Sequence, residues 1–219
     1  MSKLALQKPL LITLYGFPGS GKSYIARQLG EVMQIAHVSA DRIRAELFEQ
    51  PRYDKQELMI ITQLMNYMTH EFLSAGVSVV YDTNALRANQ RYALRELARK
   101  AKSEYMLVWV QVDPETSFAR TQRRDRRTMD DRYAMEHNEE TFTQVLNGMQ
   151  NPNTEEYLVV SGKHHFATQK NSILNRLYQL GLIETTSVQS GVAKPGLVNL
   201  VPNPQAGRVD MSRRNILIS

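Results

Sequence analysis

Short apolar runs alternate along this chain with longer stretches in which apolar residues recur every three or four positions. Runs over 10–15, 37–39, 77–81, 105–112 and 157–160 read as β-strands, the third following Gly76 as a helix stop. The stretches 21–33, 40–49, 55–75, 89–102, 114–127, 139–149 and 168–181 read as helices. In 114–127, Asp113-Pro114-Glu115 supplies a start with proline early in the first turn. Strands alternating with helices predict an α/β domain with a five-stranded parallel sheet between helical layers. Strands apolar on both faces suit such burial. The pattern stops near Ile183. Residues 185–206 are rich in Gly, Pro, Ser and Asn without a helical period, and 209–218 turn apolar again around Arg213 and Arg214. We therefore read a domain over 1–184 and an extended or flexible tail over 185–219. The tail is a disordered terminus or a segment that docks on this or another molecule.

Composition narrows the picture little. A hydrophobic fraction of 42% sustains a core, and 27 Lys plus Arg against 22 Asp plus Glu gives +5. That excess permits a nucleic-acid or phosphorylated partner without requiring one. The absence of cysteine removes disulfides and thiolate chemistry. The first residues show no cleavable leader, and no run has the ~18 apolar residues of a membrane span. The expectation is a cytoplasmic protein that does not enter membranes.

Gly16-Phe17-Pro18-Gly19-Ser20-Gly21-Lys22-Ser23 fits the phosphate-binding loop G-x-x-x-x-G-K-[ST] at every fixed position, between the first strand and first helix. Glycines let the backbone aim several N–H groups at one anion at the positive end of a helix. The nucleotide-binding set is Gly16, Pro18, Gly19, Ser20, Gly21, Lys22, Ser23 and the adjoining Tyr24. Lys22 is expected on the β- and γ-phosphates of ATP, and Ser23 on Mg²⁺.

Ligands of open α/β sheets lie beyond the carboxyl ends of the strands, where three acids fall: Asp41, Asp82 and Asp113. Asp41 is a first-turn acid behind Ser39 as cap, with Arg44 one turn on the same face. Taken alone, it is a helix-dipole partner. At the end of the strand that follows the phosphate loop's helix, it is a candidate base for a hydroxyl beside the γ-phosphate. Asp82 follows Val79-Val80-Tyr81 and is a candidate Mg²⁺ ligand, or alternatively a cap for the next helix. Thr83 stands after it where water-activating ATPases place Glu, which favours transfer over hydrolysis.

Arg120-Thr121-Gln122-Arg123-Arg124-Asp125-Arg126-Arg127 pairs Arg120 with Arg124 and Arg123 with Arg127 at helical spacing. Planar guanidinium donors suit phosphate oxygens. Arg124 is the candidate catalytic lid arginine, Arg126 reads as a solvated face, and residues 128–137 read as a mobile lid. His164-His165 read as a surface loop near the adenine rather than a metal site. His37 and the Met-rich stretch from Leu58 to Met68 read as packing residues.

Together these motifs resemble the P-loop kinases of the polynucleotide 5′-hydroxyl kinase and zeta-toxin-like group over about residues 8–183. The motifs are GFPGSGKS at 16–23, SADRIR at 39–44, VVYDTN at 79–84 and the arginines of 120–127. The resemblance implies Asp41 as general base and Arg44 as a contact to the acceptor's neighbouring phosphate. It also implies Asp82, Thr83 and Asn84 as supports of the acceptor, and Arg120 with Arg124 as grips on the donor phosphates. It implies an ATP- and Mg²⁺-dependent phosphotransferase with an alcohol acceptor, a polynucleotide 5′-hydroxyl first. A small-molecule or nucleotide-sugar kinase is the alternative, as is a nucleotide-gated regulatory module.

Overall fold

A computed structural model describes residues 3–83, 87–125, 127–128 and 132–184. Asn84, Arg126 and the tail 185–219 lie outside the described residues, as do 129–131 of the expected lid.

The elements follow the order β1 (Leu10–Tyr15), α1 (Lys22–Val32), β2 (Ile35–Ser39), α2 (Ala40–Leu47), α3 (Lys55–Ser74) and β3 (Ser78–Asp82). Then come α4 (Ala88–Lys100), β4 (Glu104–Gln111), α5 (Pro114–Gln122), α6 (Glu139–Gly148), β5 (Leu158–Ser161) and α7 (Phe166–Gln179). The strands form one sheet in the order β2-β3-β1-β4-β5 with every pairing parallel. α3 and α4 pack together, as do α1 and α7, so helices flank the sheet. This is the five-stranded parallel α/β sheet expected from the alternation of elements, and the phosphate-binding loop after its central strand β1 makes it the P-loop NTPase fold. β1 is wholly buried, and Leu11, Val79 and Tyr81 pack against Ile61, Met65 and Leu73 of α3 and Leu94 and Ala98 of α4.

Local chemistry explains the boundaries. Gly76, at φ +83, ends α3, with its N–H and that of Val77 returning to Leu73 and Phe72. Asp113 caps α5 by accepting from Thr116 N–H at 2.8 Å, with Pro114 in the first turn.

Several expectations need correction. The helix expected over 114–127 stops at Gln122, with Arg123 as its cap residue. Continuing it would stack Arg120, Arg123, Arg124 and Arg127 one turn apart, and like charges at that spacing repel. Asp125 instead organises a turn, accepting from the N–H of Arg127 at 3.0 Å. Ser39 occupies the cap position of α2 but makes no side-chain capping bond. The Met-rich stretch is only half core: Ile61 and Met65 are buried, whereas Met59 and Ile60 are exposed on the other side of α3 and Leu58, one turn before Ile61, is exposed where it lines the cleft.

Candidate active site

Beyond the carboxyl ends of the strands lies one cleft of about 1450 Å³. Ligand pockets usually hold about 300–1,000 Å³, so this cleft has room for two ligands at once. Its walls divide accordingly.

One wall is the loop between β1 and α1. Pro18, Gly19, Gly21, Lys22, Ser23 and Tyr24 line the cleft. Gly19 sits at φ +82, and a Cβ there would lie 2.3 Å from the Ser117 carbonyl oxygen, so only glycine lets α5 press this close. Gly162, after β5, is confined from the other side. A Cβ there would meet the Ser20 carbonyl oxygen at 2.3 Å and a Val112 methyl at 2.5 Å. Sequence reasoning missed Gly162, because the contact joins segments far apart in the chain. Ser20 is buried and does not line the cleft; its N–H already donates to the Phe17 carbonyl. Gly16 also lies behind the lining surface, where its carbonyl and that of Phe17 accept from Lys22 Nζ at 2.9 and 2.8 Å. The ammonium is thus folded back onto its own loop. Burial lowers its pKa to about 8, Arg124 adds to the effect, and Asp82 and Asp41 oppose it.

The facing acids come from two strand ends. β3 lies between β1 and β2, so Asp82 stands in the strand beside the loop, and Asp41 reaches the cleft from the strand beyond. Asp82 is not a helix cap: α4 begins behind Arg87. Its Oδ2 lies 2.9 Å from His37 Nε2, a contact created by the pairing of β2 with β3. His37 is therefore more than a packing residue, since it lines the cleft and holds this carboxylate.

Asp41 keeps 41% of its side-chain surface open, but into the cleft rather than bulk solvent. Confinement there raises its pKa and Asp82 adds to the rise, against Arg44, Arg124 and Lys22. Arg44 NH1 donates to Asp41 Oδ1 at 2.9 Å, as the helical spacing predicts. Sequence reasoning did not foresee that Arg44 Nε also lies 2.8 Å from Glu57 Oε1 of α3, nor that its guanidinium stacks 4.8 Å from the Tyr53 ring centre.

The lid side brings Arg120, Arg123 and Arg124 to the cleft although α5 ends before the last two. Arg120 donates to the Gly162 carbonyl at 3.0 Å, and Arg124 to the Met135 carbonyl. Arg127 lies outside the lining, 94% exposed and paired with Asp125. His137, not singled out in the sequence, is buried beside the cleft. Burial lowers its pKa to about 4, and the nearby Arg124 and Lys22 reinforce this, so the imidazole stays neutral in the physiological range. Thr83 lines the cleft, as does His164 of the loop after β5. Asp113 does not. It caps α5 and pairs with Lys163 at 2.5 Å, and these bonds hold its carboxyl well below the usual range.

The donor set fits Mg²⁺. That ion keeps most of its waters and takes one or two protein oxygens plus substrate phosphates, so it needs no cage of carboxylates. Ser23 and Asp82 offer such oxygens on one cleft. No cluster of three or more His, Cys, Asp or Glu suited to a metal exists among the described residues. Nor is any described helix long and apolar enough to cross a membrane.

Comparison with solved structures gives the same fold. A gluconokinase from Sinorhizobium meliloti 1021 is 19% identical with a TM-score of 0.57, over 78% of this chain and 93% of that one. The APS kinase CysC of Mycobacterium tuberculosis, in complex with AMPPNP and APS, is 14% identical with a TM-score of 0.56, over 78% and 98%. Kti12 of Chaetomium thermophilum, in complex with ADP-AlF3, is 14% identical with a TM-score of 0.58, also over 78% and 98%. Comparison with curated protein sequences finds no significant match. The family model described as AAA domain matches residues 11–152, which hold the phosphate-binding loop, Asp41, Asp82 and the lid arginines; the chain belongs to that family.

Proposed function

We propose that this protein is an ATP- and Mg²⁺-dependent kinase that transfers the γ-phosphoryl of ATP to the hydroxyl of a small molecule, and that residues 1–184 form the kinase domain. The observation that carries this reading is the facing arrangement of Lys22 and Arg124 against Asp41 and Asp82 on one two-ligand cleft. Similar structures that include a gluconokinase and an APS kinase add support by analogy of fold.

In the proposed reaction the loop's backbone and Lys22 hold the triphosphate. Lys22 turns from the Gly16 and Phe17 carbonyls toward the β- and γ-oxygens. Ser23 and Asp82 hold Mg²⁺, which when bound offsets charge on the β- and γ-phosphates. His37 fixes the orientation of Asp82. Arg124 and Arg120 meet the donor phosphates from the lid, and Tyr24 borders the nucleotide. Asp41 accepts the proton of the acceptor hydroxyl as its oxygen attacks the γ-phosphorus and ADP leaves. Its raised pKa makes it a better base than an exposed aspartate. Thr83 contacts the acceptor, as does Asn84, which lies outside the described residues.

Arg44 separates the two acceptor classes. The polynucleotide reading uses it for a phosphate beside the 5′-hydroxyl. Its guanidinium already faces Asp41 and Glu57, two carboxylates against one cation. A group compensated in this way attracts a phosphodiester weakly, which favours a small acceptor. The deciding experiment is transfer of label from γ-labelled ATP to small polyols and sugar acids, nucleosides, and 5′-hydroxyl DNA and RNA oligonucleotides. Label on an oligonucleotide end would overturn the small-molecule reading. No transfer to any acceptor, with ATP bound, would favour the regulatory module.

A further inference from the structure

We infer that Glu57 is a positioning residue for phosphoryl transfer: through its ion pair with Arg44 it fixes the carboxylate of Asp41 toward the acceptor hydroxyl. This rests on the reading of Asp41 as the base.

The three groups form one chain across α2 and α3. Glu57 Oε1 meets Arg44 Nε at 2.8 Å, and Arg44 NH1 meets Asp41 Oδ1 at 2.9 Å. Glu57 is 1% exposed and the Arg44 side chain 9%. Removing such a pair from water costs more than its attraction often returns, and similarly sized apolar residues often do as well. Stability alone therefore gives little reason for this pair, whereas fixing the direction of a reactive carboxylate gives a specific one.

A second observation points the same way. Glu57 Oε2 accepts from the N–H groups of Arg52 and Tyr53 at 2.7 and 3.0 Å. Tyr53 lies at φ +57, in the left-handed region that a bulky residue adopts at a cost and that gathers at functional sites. Its ring lies over Arg44 and lines the acceptor side of the cleft. One buried carboxylate thus holds both the guanidinium and the strained turn that covers it. Glu57 faces the Nε edge of Arg44 and Tyr53 covers its plane, and with the guanidinium set in that way NH1 donates to Asp41.

The test separates holding the turn from aligning the base. Glu57→Gln keeps an oxygen able to accept from Arg52 and Tyr53 but removes the charge facing Arg44. The probe is release of phosphate from ATP without acceptor, where water takes the hydroxyl's place. Asp41→Asn first tests the base itself: full hydrolysis there removes the base reading and this inference together. With Asp41→Asn inactive, Glu57→Gln is expected to slow turnover by about 10- to 100-fold, the scale of a misaligned reacting group, while ATP affinity stays unchanged. In an Arg44→Met background, Glu57→Gln is expected to add nothing, because both changes break one chain. Wild-type turnover in a folded Glu57→Gln protein would overturn the proposal, as would additive losses in the double variant. Glu57→Asp, which keeps the charge but is one methylene short, serves if Glu57→Gln does not fold, with the same loss expected. The Arg44 Nη1–H NMR signal, the hydrogen that donates to Asp41, gives an answer independent of turnover. It is assigned by its loss in Arg44→Lys. It is expected to shift in Glu57→Gln as the guanidinium loses its ion pair and turns; an unchanged signal overturns the inference.

Discussion

The two walls of the cleft are built by different means. The nucleotide wall is made of backbone: a glycine at φ +82 against the Ser117 carbonyl, and Gly162 against the Ser20 carbonyl from the opposite side. The acceptor wall is made of side chains from separate elements, with Asp41 and Arg44 on α2, Glu57 on α3, and Asp82 on β3 held by His37 on β2. The first kind of wall tolerates only one residue type at its contacts. The second tolerates many residue types but depends on charge being matched. A triphosphate offers the same oxygens in every kinase, so a rigid backbone cradle serves it. Acceptors differ, and side-chain networks are how one fold changes acceptor.

The largest effects should come from the reacting groups, and they should differ between the walls. Asp41→Asn is expected to lower kcat by about 10²–10⁴-fold, the usual scale for a general base, with ATP affinity intact. Lys22→Ala is expected to lower transfer by roughly 10²–10³-fold or more and to weaken ATP binding as well. Steady-state kinetics with nucleotide titration distinguishes them. Neither variant should melt early. Burial disfavours the charged form of Lys22, so its removal relieves a cost rather than creating one.

Next comes the packing of the cradle. Gly162→Ala places a Cβ 2.3 Å from the Ser20 carbonyl oxygen and 2.5 Å from a Val112 methyl, so that it is pinched between the loop's backbone and a packed side chain. Because the Ser20 carbonyl is the phosphate loop's own backbone, the variant is expected to bind ATP about tenfold or more weakly, the scale of about 1.4 kcal/mol, and to melt lower; fluorescence titration and calorimetric melting check both. An unchanged affinity would show that the loop does not rely on this contact.

The pH response of nucleotide binding should be smaller and of one sign. Below about 8 Lys22 carries its proton; above that the empty loop holds a neutral amine, and triphosphate must draw the proton back. ATP affinity is expected to be flat below pH 7.5 and to weaken above 8, by up to about tenfold per unit, with uptake of a proton. Calorimetry in two buffers of different ionisation heat measures that uptake. The same shift makes the Lys22 contribution to the stability of the nucleotide-free protein grow between pH 8 and 10.5, where the unfolded chain binds more protons. The smallest effect is a control. Gly30 lies inside α1 with nothing within 4 Å of an added Cβ, so Gly30→Ala is expected to stabilise by about 0.5–1 kcal/mol without touching activity.

The nucleotide wall was largely legible in the sequence because its information is contiguous. Residues 16–23 carry the loop, and apolar runs on either side fix its strand and helix. Asp41 with Arg44 was legible for a similar reason, one helical turn, and Asp82 because it closes an apolar strand. The rest depends on which segments meet. Glu57 lies on another helix and reaches Arg44 only through the packing of α2 on α3. His37 finds Asp82 because β2 pairs with β3, an order that no local pattern specifies. Asp113 shares the strand-end position of Asp82 but is drawn away by Thr116 and Lys163. The arginine block shows the limit of periodicity: its spacing fits a helix, and its own charge ends the helix at Gln122.

The most direct test of the central claim is the transfer of label from γ-labelled ATP with Mg²⁺ across sugar acids, polyols, nucleosides and 5′-hydroxyl oligonucleotides, run on the wild type and Asp41→Asn together. The account expects label on a small hydroxyl acceptor in the wild type and about 10²–10⁴-fold slower labelling in Asp41→Asn. Release of phosphate alone with no acceptor labelled, or equal labelling by both proteins, would contradict it.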